Sequence, residues 1–249
     1  MKTIAVIISV MISLLMGQSV DEFILQGKEK IRTGINHWNE QELLQARAHF
    51  ERGLSLNEKQ WLFHYYVAWC DHQLANLSMG QQDKGKTKGY VNDGISQLDD
   101  AIELSPDFAE AYGLLSSLYG TKIGLIPWTG FWYGPKAGRS IGKALSLEPD
   151  NPRLHMIQGI STYFTPEQWG GGKEKAKVSF QKAIELYKND NPEPILPDWG
   201  KSDVHAWLGQ VELSLGDSAQ AIIQYERALE IDPDNNWINT QLMPKVKGK

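Results

Sequence analysis

The chain has 249 residues, with 25 Lys and Arg against 30 Asp and Glu, a formal charge of −5. A nucleic-acid binder needs a concentrated positive surface, so this balance argues against one. Hydrophobic residues make up 41% and charged residues 22%, as in a folded globular chain, and the length suits one sizeable domain or two small ones. Nine tryptophans and nine tyrosines are many for this length and must be buried or line a surface. The one cysteine, Cys70, has no partner for an intramolecular disulfide. Its apolar setting, Val67-Ala68-Trp69-Cys70, marks it as a buried structural residue.

Residues 1–19 read as an export signal. Lys2 supplies the positive start, residues 4–16 form an apolar run, and small Gly17 precedes polar Gln18-Ser19. The run is short for a membrane span and is followed by Asp21-Glu22, so a cleaved leader fits better than an anchor. Cleavage is expected near Gly17 or Ser19. With no cysteine there, lipoprotein attachment is excluded. Removal takes away one lysine and no acid, leaving −6. No later apolar stretch is long enough to span a bilayer. The expected location is periplasmic or secreted, with no membrane insertion and no nucleic-acid partner.

A pattern of small, large apolar and small residues then recurs. It runs Ala46-Phe50-Gly53, Gly94-Leu98-Ala101-Pro106, Ala137-Ile141-Ala144-Pro149 and Ala176-Phe180-Ala183. The fullest unit is the last: Leu208, Gly209, Gly216, Ala221, Tyr225, Ala228 and Pro233. Small residues let two helix backbones approach where they cross, and proline follows a helix end that it cannot continue. These positions are those of a 34-residue helix-turn-helix repeat. The chain therefore resembles the tetratricopeptide-repeat (TPR) superfamily over residues 20–244. That resemblance implies an all-α, TPR-type helix-turn-helix solenoid of about five repeats, with loop insertions and a short C-terminal capping helix.

The second-helix small residues at 53, 101, 144, 183 and 228 lie 48, 43, 39 and 45 apart, more than one repeat length. Insertions are expected at 78–92 (polar, glycine-rich, with Lys84, Lys86 and Lys88), 121–135 (aromatic), 165–172 and 189–201 (proline-rich). The phrases Tyr133-Gly134-Pro135-Lys136-Ala137-Gly138-Arg139, Tyr163-Phe164-Thr165-Pro166 and Gly170-Gly171-Gly172-Lys173 resemble a group of secreted bacterial TPR proteins without an assigned activity. Residues 236–244, with Trp237, Ile238, Leu242 and Met243, are expected to begin the cap, and 245–249 to form a frayed basic tail.

No catalytic signature stands out. His64 and His72 share one helix but lie eight residues apart, about 12 Å, too far to chelate one ion. Asp99, Asp100 and Glu103 read as a solvated helix face. The Gly170-Gly171-Gly172-Lys173 run lacks phosphate-loop spacing and reads as a turn entering a helix. No enzyme, metal or cofactor is expected. The candidate surface is aromatic: Tyr65, Trp69 and His72 on a first helix, with Phe63 and Tyr66 beside them, and Trp128, Trp132, Tyr133 and Trp169 in the insertions. First helices of this architecture line the concave face, so these side chains either hold a partner or plug the groove as added core. The expected role is a non-catalytic protein-protein interaction scaffold in the bacterial envelope, with a protein or peptide partner. The alternative is a small-molecule-binding accessory protein of the transporter-associated type, its pocket closed by the aromatic insertions.

Overall fold

The computed structural model describes residues 19–56 and 58–247, and the expected leader up to residue 18 lies outside the described residues. Ser19 opens the first helix with a reciprocal cap. Its hydroxyl accepts from the Glu22 amide at 3.2 Å, and the Glu22 carboxylate accepts from the Ser19 amide at 3.2 Å. From there the chain folds as consecutive antiparallel pairs: α1 (Val20–Asn36) with α2 (Glu40–Gly53), α3 (Gln60–Gly80) with α4 (Lys84–Leu104), and α5 (Ala109–Leu125) with α6 (Gly130–Leu147). The fourth and fifth pairs are α7 (Pro152–Phe164) with α8 (Lys173–Tyr187) and α9 (Asp203–Leu215) with α10 (Ser218–Ile231). No strand occurs among the described residues.

The recurring small residues are the ones that pair the helices. Ala46, Ala101, Ala144, Ala183 and Ala228 are fully buried, as are Phe50, Phe180 and Tyr225. Gly159 and Gly209 leave room for these rings. A Cβ at Gly159 would lie 2.6 Å from the Phe180 ring, and one at Gly209 would overlap Tyr225. Five repeats follow, as the spacing predicts.

Two expected insertions are instead helix. Across 78–92 only Gln81, Gln82 and Asp83 separate α3 from α4. Asp83 caps α4 by accepting from the Lys86 amide at 3.0 Å, and Thr87, Val91, Gly94, Leu98 and Ala101 give α4 one buried stripe. Of the glycines that read as loop signals, Gly89 faces open space on that helix and Gly85 has only the Asp83 carboxylate nearby. Across 121–135, α5 runs to Leu125, a single 3-10 turn (Pro127–Thr129) follows, and α6 begins at Gly130. The longer repeats are thus accommodated by longer helices.

The C-terminal cap is present. A π turn (Ile238–Leu242) leads into α11 (Met243–Lys247), and Ile238, Leu242, Met243 and Val246 pack on Ala206, Ala221 and Tyr225. The basic tail is therefore helical as far as Lys247, because Val246 is buried there.

This path creates two edges. One, the turn edge, carries the turns inside repeats; the other, the junction edge, carries the connections between repeats. Replacing Ala183 with Leu should overpack the interface around α8 and cost about 1–3 kcal/mol. A denaturant midpoint unchanged in Ala183→Leu would contradict this packing.

Candidate functional site

The proline-rich connection 189–201 does not stay between α8 and α9. It crosses the first helices and covers their groove. Prolines at 192, 194 and 197 remove three amide donors, and a turn at 194–195 closed by the Leu196 amide on the Glu193 carbonyl at 2.8 Å leaves the Pro194, Ile195 and Leu196 carbonyls to find partners outside the segment. The Lys28 ammonium on α1 donates to the Pro194 and Leu196 carbonyls, each at 2.6 Å, and pairs with Asp198 at 3.0 Å. The Tyr66 hydroxyl on α3 donates to the intervening Ile195 carbonyl at 2.6 Å. Burial pushes the Lys28 ammonium below its usual range, against the opposing pull of Asp198.

Trp199 closes the segment down. Its ring stacks on Trp69 with centroids 4.2 Å apart, and its indole N–H donates to the Tyr65 hydroxyl at 3.0 Å. The Tyr187 hydroxyl donates to the Trp199 carbonyl at 3.0 Å. Gly200 follows with φ +95, and a Cβ there would collide with that hydroxyl. At the other end, Arg153 on α7 pairs with Asp190 at 2.6 Å and with buried Glu110 on α5. Burial raises the Glu110 carboxyl above the usual carboxylate range, and Arg153 opposes that shift. Glu110, Arg153 and Asp190 border a cleft of about 730 Å³ on the junction edge, also lined by Glu148, Asp150 and Glu185.

The candidate residues thus divide. Tyr65 and Trp69 are buried beneath Trp199, and His72, partly buried, stacks on Trp69 at 5.3 Å. They belong to the filled groove. Burial pushes the His72 imidazole down to about 4. Tyr133 stacks on Tyr119 at 5.6 Å with Lys122 and Lys136 over its ring. Trp128, Trp132 and Trp169 stand in solvent at 69%, 56% and 76% exposure, joined by Phe131 at 81% and Phe164 at 68%. All five occupy the turn edge of the third and fourth repeats. The cleft lining includes none of these tryptophans.

Sequence reasoning missed Lys28, which holds the groove segment, and Phe164, which stands exposed on the turn edge; Phe131 belongs to the aromatic cluster read in 121–135. An isolated lysine beside the Ile24, Ile31 stripe carries no local signal of its distant carbonyl partners. The exposure of Phe164 was likewise concealed by its apolar type. Cys70 is buried, as its setting predicts, and no group of three His, Cys, Asp or Glu among the described residues is placed to hold a metal.

Residues 202–235 match the tetratricopeptide repeat family model. The HusA haemophore from Porphyromonas gingivalis is similar in structure: 24% identical, covering 80% of this chain and 95% of that chain, with a TM-score of 0.69. TTC0263, a thermophilic TPR protein in Thermus thermophilus, is 20% identical over 89% of this chain and 96% of that one, with a TM-score of 0.58. Both likenesses are ones of fold. No curated protein matches the chain.

Removing the Trp199 ring should cost about 3–5 kcal/mol and expose 189–201 to limited proteolysis, since the ring is shared by three hydrophobic clusters. Unchanged cleavage in Trp199→Ala would mean that the ring does not hold the segment. His72 supplies a pH test. Its folded-state value lies below the ordinary 6.5, so between pH 6.5 and about 4 the unfolded chain binds the extra proton. The protein should therefore lose stability relative to His72→Gln as pH falls through that window, by at most about 1.4 kcal/mol per pH unit. Parallel melting-temperature profiles would contradict it.

Proposed function

We propose that this tetratricopeptide-repeat protein is a non-catalytic adaptor of the bacterial cell envelope that engages its partner through the turn edge of its third and fourth repeats. One observation carries the reading: the usual groove is occupied by the chain's own residues 189–201, while Trp128, Phe131, Trp132, Phe164 and Trp169 stand exposed on adjacent turns. Large aromatics exposed as a cluster mark interaction surfaces, and Trp is enriched at interface hot spots. TPR solenoids serve widely as binding scaffolds, which supports an adaptor over an enzyme. Placement in the envelope rests on the leader read in residues 1–19. Cleavage before Ser19 would keep the capping box of α1, so the mature chain should begin no later than Ser19.

A second reading is prompted by the haemophore HusA. In this chain a planar ligand would stack on the exposed Trp132 ring, with Lys136 and Arg139 on the same helix to receive its carboxylates. Haem titration separates it: a saturable Soret shift lost in Trp132→Ala would favour the small-molecule reading over the adaptor.

The adaptor reading is tested with a photo-crosslinking residue at 132 on the turn edge or at 104 on the junction edge, in cells. A discrete product from 132, absent from 104 and lost when Trp128 and Phe131 become alanine, is the expected result. Equal products from both edges, or a product from 104 with none from 132, would overturn the assignment. N-terminal sequencing that finds an intact leader would overturn the location.

A further inference from the structure

Charge is distributed between the two edges as unevenly as the aromatics are. Segments 79–93, 120–139 and 161–177, which make the turn edge of repeats two to four, hold nine Lys or Arg and four Asp or Glu. On the junction edge, segments 99–110, 146–153, 185–188 and 202–203 hold two Lys or Arg and nine Asp or Glu. Within a chain of net charge −5, the turn edge of repeats two to four is therefore locally cationic, flanked by Glu40 and Glu42 in the first repeat and by Glu212 and Asp217 in the fifth. In the third repeat the bias is complete: residues 111–147 contain no acid and four cations. Several of these cations have no acidic partner. Lys84, Lys88, Lys136 and Arg139 make no ion pair among the described residues, whereas Lys86 and Lys177 are paired with Glu40 and Glu212.

The aromatics sit among these cations. Trp128, Phe131 and Trp132 form an edge-on cluster in which Trp132 meets each of the other two, with centroids 5.4 Å apart in both pairs, at the start of the helix that carries Lys136 and Arg139. Phe164 and Trp169 stand one repeat away, just before Lys173 and Lys175. The tips belong to separate neighbouring turns and do not ring a cavity. They form a row that would enter a broad, soft surface to a shallow depth. Indole and phenyl rings favour the boundary between lipid headgroups and acyl chains, and flanking Lys and Arg are drawn to anionic headgroups.

We propose that the turn edge docks on an anionic phospholipid surface, with the five aromatic tips at headgroup depth and the lysines and Arg139 above them. This rests on the turn-edge reading above and names the partner's chemistry. Attachment is peripheral, since no described helix is long and apolar enough to cross a membrane. The acidic junction edge then faces away from the lipid.

The test uses the purified protein and sedimentation with two kinds of vesicle, phosphatidylcholine alone and phosphatidylcholine with a quarter phosphatidylglycerol. Binding to the anionic vesicles is expected, with little binding to the neutral ones and loss as salt rises from about 0.1 to 0.5 M. Lys84→Glu with Lys88→Glu should weaken it at least about tenfold through headgroup electrostatics alone. Trp128→Ala with Phe131→Ala should do so while leaving the circular dichroism unchanged. Glu103→Lys with Asp107→Lys, on the junction edge, should not weaken binding. Equal sedimentation with both vesicles, or binding that the junction-edge pair abolishes and the turn-edge pairs do not, would overturn the proposal. The crosslinker at 132 separates the two levels. A protein product from 132 without vesicle binding overturns the lipid partner and leaves the turn edge as the working surface. Neither product nor vesicle binding overturns both.

Discussion

Three consecutive carbonyls, those of Pro194, Ile195 and Leu196, set the character of this solenoid. A segment with prolines at 192, 194 and 197 has too few amides to satisfy these carbonyls itself, and they can be buried only where donors wait for them. Lys28 and Tyr66 supply those donors from α1 and α3, two helices far away in sequence. Once the segment is seated, Trp199 can lie on Trp69, Arg153 can meet Asp190, and Ile195 joins the core cluster of the first repeats. The first, second and fourth repeats are thereby tied across the groove by side chains, in addition to the nearest-neighbour stacking that holds any solenoid together. Filling the groove also takes away the surface through which such folds ordinarily bind.

What is left is the rim, and the rim is polarised. Part of this follows from repeat chemistry. Second helices here end in phrases such as Glu103-Leu104-Ser105-Pro106-Asp107 and Leu147-Glu148-Pro149-Asp150, so acids collect where repeats join. The turns inside repeats two to four collect lysine, glycine and aromatics instead. Because antiparallel pairs stack in register, each tendency is summed along its own edge. A modest bias in each middle unit becomes an acidic side and a cationic, aromatic side over repeats two to four.

Much of the fold was legible in the sequence because it depends on small residues at short, repeated intervals. Ala101, Ala144, Ala183 and Ala228 are small for one reason, helix crossing, and that reason leaves the same trace in every repeat. Gly85, Gly89 and Gly134 misled because exposed glycines inside a helix look like loop glycines when only neighbours along the chain are read. Their helical state is set by the buried stripe beneath them, as Thr87, Val91 and Gly94 show for α4.

The candidate surface was only half legible. That Tyr65, Trp69 and Trp128 were too many and too large to be idle followed from composition, and the alternatives of binding or plugging were both open. The sequence by itself determined the helical repeat, its register and its cap, since these depend on contacts between residues a few turns apart. Only the tertiary structure decided that residues 189–201 return to α1 and α3, burying Tyr65 and Trp69 while leaving Trp128, Phe131, Trp132 and Trp169 in solvent. That outcome turns on pairings across more than a hundred residues, such as Tyr66 with Ile195 and Lys28 with Leu196, and no local periodicity records them.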